Sequence, residues 1–147
     1  MTADAERLRT ELTTGTDAAA WQRTQRLLAE SAVSDALYPM LPLFFEMIRD
    51  AKSQVRIRGM HLACAQARWD TEGKLMENAP ALFAMLNDPK PVAVRRTLSA
   101  LREVALFRPE MEAALRKAVE NIVPERYPDS MAPLIRKDAE ALSDLLD

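Results

Sequence analysis

A chain of 147 residues that is 48% hydrophobic and 29% charged can bury one sizeable core. Its formal charge of −2 and pI near 5.5 weigh against bulk nucleic-acid binding, although a local basic face can survive a near-neutral average. The single cysteine, Cys64, excludes an internal disulfide, no run reaches the roughly 18 apolar residues that span a bilayer, and the opening residues lack a signal peptide's apolar stretch, so the expected location is the cytoplasm.

With only three glycines and abundant Ala, Leu, Glu, Arg and Met, the chain reads as helix throughout. Eight helices in four antiparallel pairs are expected. The first covers Ala3–Thr13, with Leu8 and Leu12 one turn apart, and Gly15-Thr16 breaks it. Thr16 or Asp17 caps the second, 17–31, whose apolar face carries Trp21, Leu27 and Leu28. Ser34 opens the third, which runs to Arg49, and Pro42 imposes a bend or a late start. The fourth spans 53–68, with Val55, Gly59 and Leu62 on one stripe. The fifth lies within 72–87 around Pro80, and Asp88-Pro-Lys-Pro91 stops it. The sixth runs over 91–106 with Val94, Leu98 and Leu101 in step, and the seventh over 109–123. The eighth starts at Asp129 or Ser130, accepts Pro133 in its first turn and ends near Leu146. No segment alternates apolar and polar residues as a strand would.

One stretch occurs twice, 38 residues apart. Pro42, Phe45, Met47, Asp50 and Lys52 recur as Pro80, Phe83, Met85, Asp88 and Lys90. A period of this length marks stacked helix pairs, each burying its apolar face against its neighbours. The clear repeats cover 35–68 and 72–106, flanked by an N-terminal pair or cap at 1–33 and a C-terminal pair at 109–147, all in one domain.

The repeated pattern resembles HEAT repeats, in which a proline bends the first helix, an aspartate closes it and a Val-Arg pair opens the second. Pro42, Asp50, Val55 and Arg56 match that spacing, and Pro80, Asp88, Val94 and Arg95 match it with one extra residue in the turn. The resemblance implies a short right-handed α–α solenoid of about four helix pairs. It also implies a structural ladder in which Arg56 and Arg95 pair with Asp50 and Asp88 across the turns of neighbouring repeats. The chain is also similar, over 35–146, to a small bacterial family of single-domain HEAT-like proteins of unknown function. That similarity rests on Arg56-Ile-Arg58-Gly59, Trp69-Asp70, Asp88-Pro-Lys-Pro91 with Arg95-Arg96, and Tyr127-Pro-Asp-Ser-Met131 with Pro133 to Asp138. Such proteins sometimes carry a name borrowed from iron–sulfur assembly. One cysteine and one histidine give no support for a cluster, which usually takes four ligands, and no cofactor or metal is expected.

Candidate site residues concentrate at the starts of the second helices of the pairs. Arg56, Arg58, Arg95, Arg96 and Arg102 lie on two helices expected side by side, and Arg58 and Arg96 repeat at the 38-residue offset. Arginine forks near helix N-termini suit carboxylate or phosphate. His61 shares a helix face with Arg58. No catalytic or metal-binding spacing accompanies it, so a packing role is favoured over a general base. Cys64 reads as a small buried residue. Trp69 can close the core and Asp70 can cap the next segment. Some HEAT-like DNA glycosylases use an exposed Trp, Asp and Arg on a basic face, but the acidic average and short stack count against that here. Tyr127, with Asp129 and Ser130 as candidate caps, marks the longest loop, and its hydroxyl is expected to point outward.

The expected function is that of a non-catalytic protein-interaction module, with Arg58, His61, Arg96, Trp69 and Tyr127 binding an acidic partner segment on a concave face. Two alternatives stay open: a nucleic-acid-interacting protein using the same arginines on phosphates, and an enzyme with a site near His61. The sequence leaves the oligomeric state open.

Overall fold

The computed structural model describes residues 3–146, which fold into nine α-helices joined by 3₁₀ turns, with no strand among them. In chain order these are α1 (Ala3–Thr13), α2 (Asp17–Ser31), α3 (Leu41–Ile48), α4 (Ser53–Ala65), α5 (Lys74–Glu77), α6 (Ala79–Ala84), α7 (Pro91–Phe107), α8 (Glu112–Glu120) and α9 (Ala132–Ser143). None of them is long and apolar enough to cross a membrane.

Local chemistry explains most boundaries. Gly15 takes φ +77°, the left-handed turn that a side chain resists, and Thr16 caps α2 by accepting the Ala19 N–H at 3.1 Å. Proline explains why two expected helices are shorter. Tyr38–Met40 is a 3₁₀ turn holding Pro39, and α3 starts only at Leu41 with Pro42 in its first turn. Ser34 therefore caps no helix; its Oγ accepts the Ala36 N–H in a turn. The expected fifth helix divides at Asn78, because Pro80 has no N–H to continue α5, so α6 begins anew and ends in a 3₁₀ turn at Met85–Asn87. At the far end neither Asp129 nor Ser130 caps α9, which starts at Ala132 with Pro133 in its first turn.

The core runs continuously from Leu8 and Leu12 to Leu142 and Leu146. Phe44, Leu62, Leu82, Leu98 and Leu101 are fully enclosed, and the repeated Met47 and Met85 are both buried. Helices α3 and α4 approach closely at Gly59. A β-carbon there would stand 2.7 Å from the Met47 Cβ and 2.9 Å from the Phe44 carbonyl oxygen, so glycine lets α4 lie against α3.

Helices α2, α4, α7 and α9 pack neighbour to neighbour in that order. Side-chain contacts join these helices or the turns that follow them. Trp21 meets His61 and, further on, Ser31 meets Gln66. Arg68 meets Glu103, and Arg95 meets Asp138. Helix α7 thus lies between α4 and α9.

Candidate functional site

The turns that open α4 and α7 are built alike. Asp50 Oδ1 accepts the Lys52 N–H at 2.8 Å, and Asp88 Oδ1 accepts the Lys90 N–H at 2.9 Å. The arginines that follow reach forward along the chain. Arg56 donates to the Asp88 carboxylate at 2.8 and 3.0 Å, and also to the carbonyls of Asp50 and Ala51. Arg95 donates to Asp138 on α9 at 2.6 Å, and that bond holds its guanidinium more firmly protonated than usual. Arg56 thus joins the turns of successive repeats, but Arg95 pairs with Asp138 and not with Asp88, whose carboxylate is already taken. Among the described residues no arginine forms an ion pair with the Asp50 carboxylate: the residue thirty-two before it, where Arg56 stands relative to Asp88, is Ala18.

Three expected binding residues face inward. Arg58 is 3% exposed, with Nε donating to the Leu12 carbonyl at 3.0 Å and Nη1 to Asp17 at 3.2 Å. The last carbonyls of α1 lack helical partners, and Arg58 supplies one. It fastens α1 and α2 to α4 and is not presented on a surface. Tyr127 is buried and donates its hydroxyl to the Asp88 carbonyl at 2.8 Å, so its hydroxyl points inward. Burial pushes its ionisation up. Trp69 donates Nε1–H to the Ser31 carbonyl at 2.8 Å and ties α2 to the 3₁₀ turn that follows α4. Its neighbour Asp70 is 1% exposed and caps α5 as expected, accepting the N–H groups of Lys74 and Leu75 and the Tyr38 hydroxyl. Burial and then Asp70 push the Tyr38 ionisation well up.

His61 and Arg96 meet through Trp21. The His61 and Trp21 rings stand edge to face at 5.6 Å, and the Arg96 guanidinium lies 4.6 Å over the Trp21 ring. His61 Nε2 is enclosed without a hydrogen-bond partner, and burial, then the charge of Arg96, pull the imidazole down to about 4. It is neutral at pH 7 and has no hydrogen-bonded nucleophile.

The open face of α7 carries Val92, Arg95, Arg96, Ser99, Arg102, Glu103 and Leu106, a helical stripe. Two depressions flank it. One, of about 410 Å³, lies between α7 and α9, with Arg95, Arg96, Arg102 and Asp138 as its charged residues. The other, of about 240 Å³, lies between α7 and the α2–α4 side, with His61, Arg68 and Glu103 on its walls. Asp138 is engaged by Arg95, and Glu103 by Arg68, which also stacks 4.5 Å over Phe107. Arg96 and Arg102 have no carboxylate within ion-pair distance among the described residues.

Comparison with family models, with curated proteins and with solved structures finds no match for this chain. Sequence reasoning placed Arg96 on this face and missed Ser99 and the partner of Arg95. The signal for Ser99 was the three-and-four spacing through Val92, Arg95, Arg96, Ser99 and Arg102. No three His, Cys, Asp or Glu side chains among the described residues cluster as metal ligands. Cys64 is fully enclosed, and burial pushes its thiol far up.

Proposed function

We propose that this chain is a non-catalytic interaction module that holds an acidic segment of a partner protein on the open face of α7, between α4 and α9. One observation carries the reading. Arg96 and Arg102 stand at the groove between α7 and α9 with no carboxylate of their own among the described residues, and the groove's single acid, Asp138, is already neutralised by Arg95. Stacking on Trp21 holds the Arg96 fork while leaving its N–H edges for a carboxylate. Val92, Ala141 and Leu142 add apolar wall, so burial supplies affinity and the arginines supply orientation.

We read the architecture as a short right-handed HEAT-like solenoid of four helix pairs. The duplicated Asp50 and Asp88 turns and the forward bridges Arg56–Asp88 and Arg95–Asp138 support it. Such stacks serve as holding surfaces. A free thiol at Cys64 suits work in the cytoplasm.

The test uses fluorescence anisotropy with a labelled, end-blocked acidic decapeptide and, separately, a labelled single-stranded oligonucleotide. The wild-type protein binds the peptide, and Arg96→Glu/Arg102→Glu weakens it by about a hundredfold, two charge-assisted contacts at about tenfold each. Binding of the oligonucleotide alone, falling steeply with salt, would replace this reading by phosphate recognition.

A further inference from the structure

The two depressions beside α7 share one lining residue, Ser99. Four of the lining residues are alanines: Ala32 and Ala65 on the α2–α4 side, Ala100 on α7 and Ala141 on α9. The walls are long. Arg96 stands three residues before Ser99, one turn towards the N-terminus of α7, and Arg102 three residues after it, one turn towards the C-terminus. Ser99 therefore stands on α7 where the two depressions adjoin, and a path from one to the other over it, here called the trough, is flanked by the two guanidiniums that lack a carboxylate partner among the described residues.

The width of that path decides what can pass. From Arg96 to Arg102 is six residues, or about 9 Å along the helix axis. A helix with its side chains is about 10–12 Å across and does not enter. An extended chain does. Going from α4 over α7 to α9 covers two interaxial spacings, about 18 Å, which about six extended residues span at roughly 3.3 Å each.

Resting on the binding-module reading above, we infer that the partner segment is extended, crosses α7 over Ser99, and carries two adjacent acidic residues at the crossing. The exposed Ser99 hydroxyl can donate to or accept from a main-chain group, so the polar edge of the segment's backbone faces the floor. Its side chains then face the walls. In an extended chain successive side chains point to opposite sides. Adjacent acids therefore meet Arg96 on one wall and Arg102 on the other. Acids separated by one residue fall on the same wall and reach only one arginine. At the two ends of the trough the charges are already paired, as Arg68–Glu103 and Arg95–Asp138, so neutral residues suit the flanks.

The experiment measures affinities of three labelled, end-blocked peptides by anisotropy: a hexapeptide with two adjacent central glutamates, its isomer with the glutamates one residue apart, and an alanine-rich helical fifteen-residue peptide with two glutamates at i and i+4. Each is titrated with wild type, Ser99→Trp, Arg96→Gln and Arg102→Gln. Ser99 is exposed, and an unchanged thermal midpoint verifies that Ser99→Trp folds. The adjacent-glutamate peptide binds about tenfold tighter than its isomer, one charge-assisted contact's worth, and Ser99→Trp weakens it at least about tenfold by filling the crossing. Each arginine variant also weakens it about tenfold and brings the two isomers together. Equal affinity for the isomers in wild type, or indifference to Ser99→Trp, overturns the inference. If the helical peptide binds through Arg96 and Arg102 regardless of Ser99→Trp, the crossing fails and the binding module stands. If no acidic peptide binds, both fail.

Discussion

Arg56 on α4 grips Asp88, thirty-two residues later, through hydrogen bonds of 2.8 and 3.0 Å. The same aspartate holds the turn into α7 through the Lys90 N–H, and its carbonyl takes the Tyr127 hydroxyl. Three separate parts of the chain therefore converge on one residue. The Asp88 side chain is 5% exposed, so Arg56→Ala leaves a nearly buried carboxylate without its cation and costs about 3 kcal/mol. The Arg95–Asp138 pair is 37% and 28% exposed, and Arg95→Ala costs at most about 1 kcal/mol. Urea unfolding of the two variants checks the order; equal losses would mean that Asp88 is not the joint described.

Gly59→Ala is expected to destabilise despite alanine's better helix propensity. Propensity favours alanine by about 1 kcal/mol, but the new methyl meets backbone and a β-carbon at 2.7–3.0 Å, contacts that cannot rotate away. Forcing α3 and α4 apart costs about 2 kcal/mol net. The urea midpoint should fall while the slope stays constant.

His61 gives the stability a defined pH dependence. The unfolded chain protonates this histidine near pH 6.5 and the folded chain only near 4. Between those values the unfolded state binds more protons, so stability rises with pH, and is lost as pH falls through 6.5 towards 4. Wild type should lose up to about 3 kcal/mol more than His61→Gln between pH 7 and 4. Parallel pH profiles for the two proteins, or an imidazole NMR titration with a midpoint near 6.5, would contradict the burial described.

Cys64 should be silent in the folded protein. It is fully enclosed and its thiol is held protonated, so a disulfide reagent reacts only through opening of the structure. The labelling rate at neutral pH should rise with urea in step with unfolding. Rapid labelling in buffer would contradict this packing.

How much of this was legible from the sequence differed by element. The helices were, because Val94, Leu98 and Leu101 or Leu8 and Leu12 repeat at helical spacing and tertiary packing agrees with them. The late start of α3 followed from Pro42 alone. Arg58 and Tyr127 were misplaced because what decides them is long-range: which helix end lies over α4, and which turn lies beneath the 124–128 loop. A guanidinium looks solvent-facing in one dimension, and only the unsatisfied Leu12 carbonyl makes it interior. The Arg95–Asp138 pairing, across forty-three residues, was invisible for the same reason. That Ser99 borders both depressions needed both neighbours of α7 in place.

The most direct test of the account is a ¹H–¹⁵N correlation titration of the labelled protein with the adjacent-glutamate hexapeptide. The account predicts shifts concentrated on residues 92–106, with 61–68 and 138–142 beside them, and their loss in Arg96→Glu/Arg102→Glu. Shifts gathered on α8 or α1, or none at millimolar peptide, would contradict it.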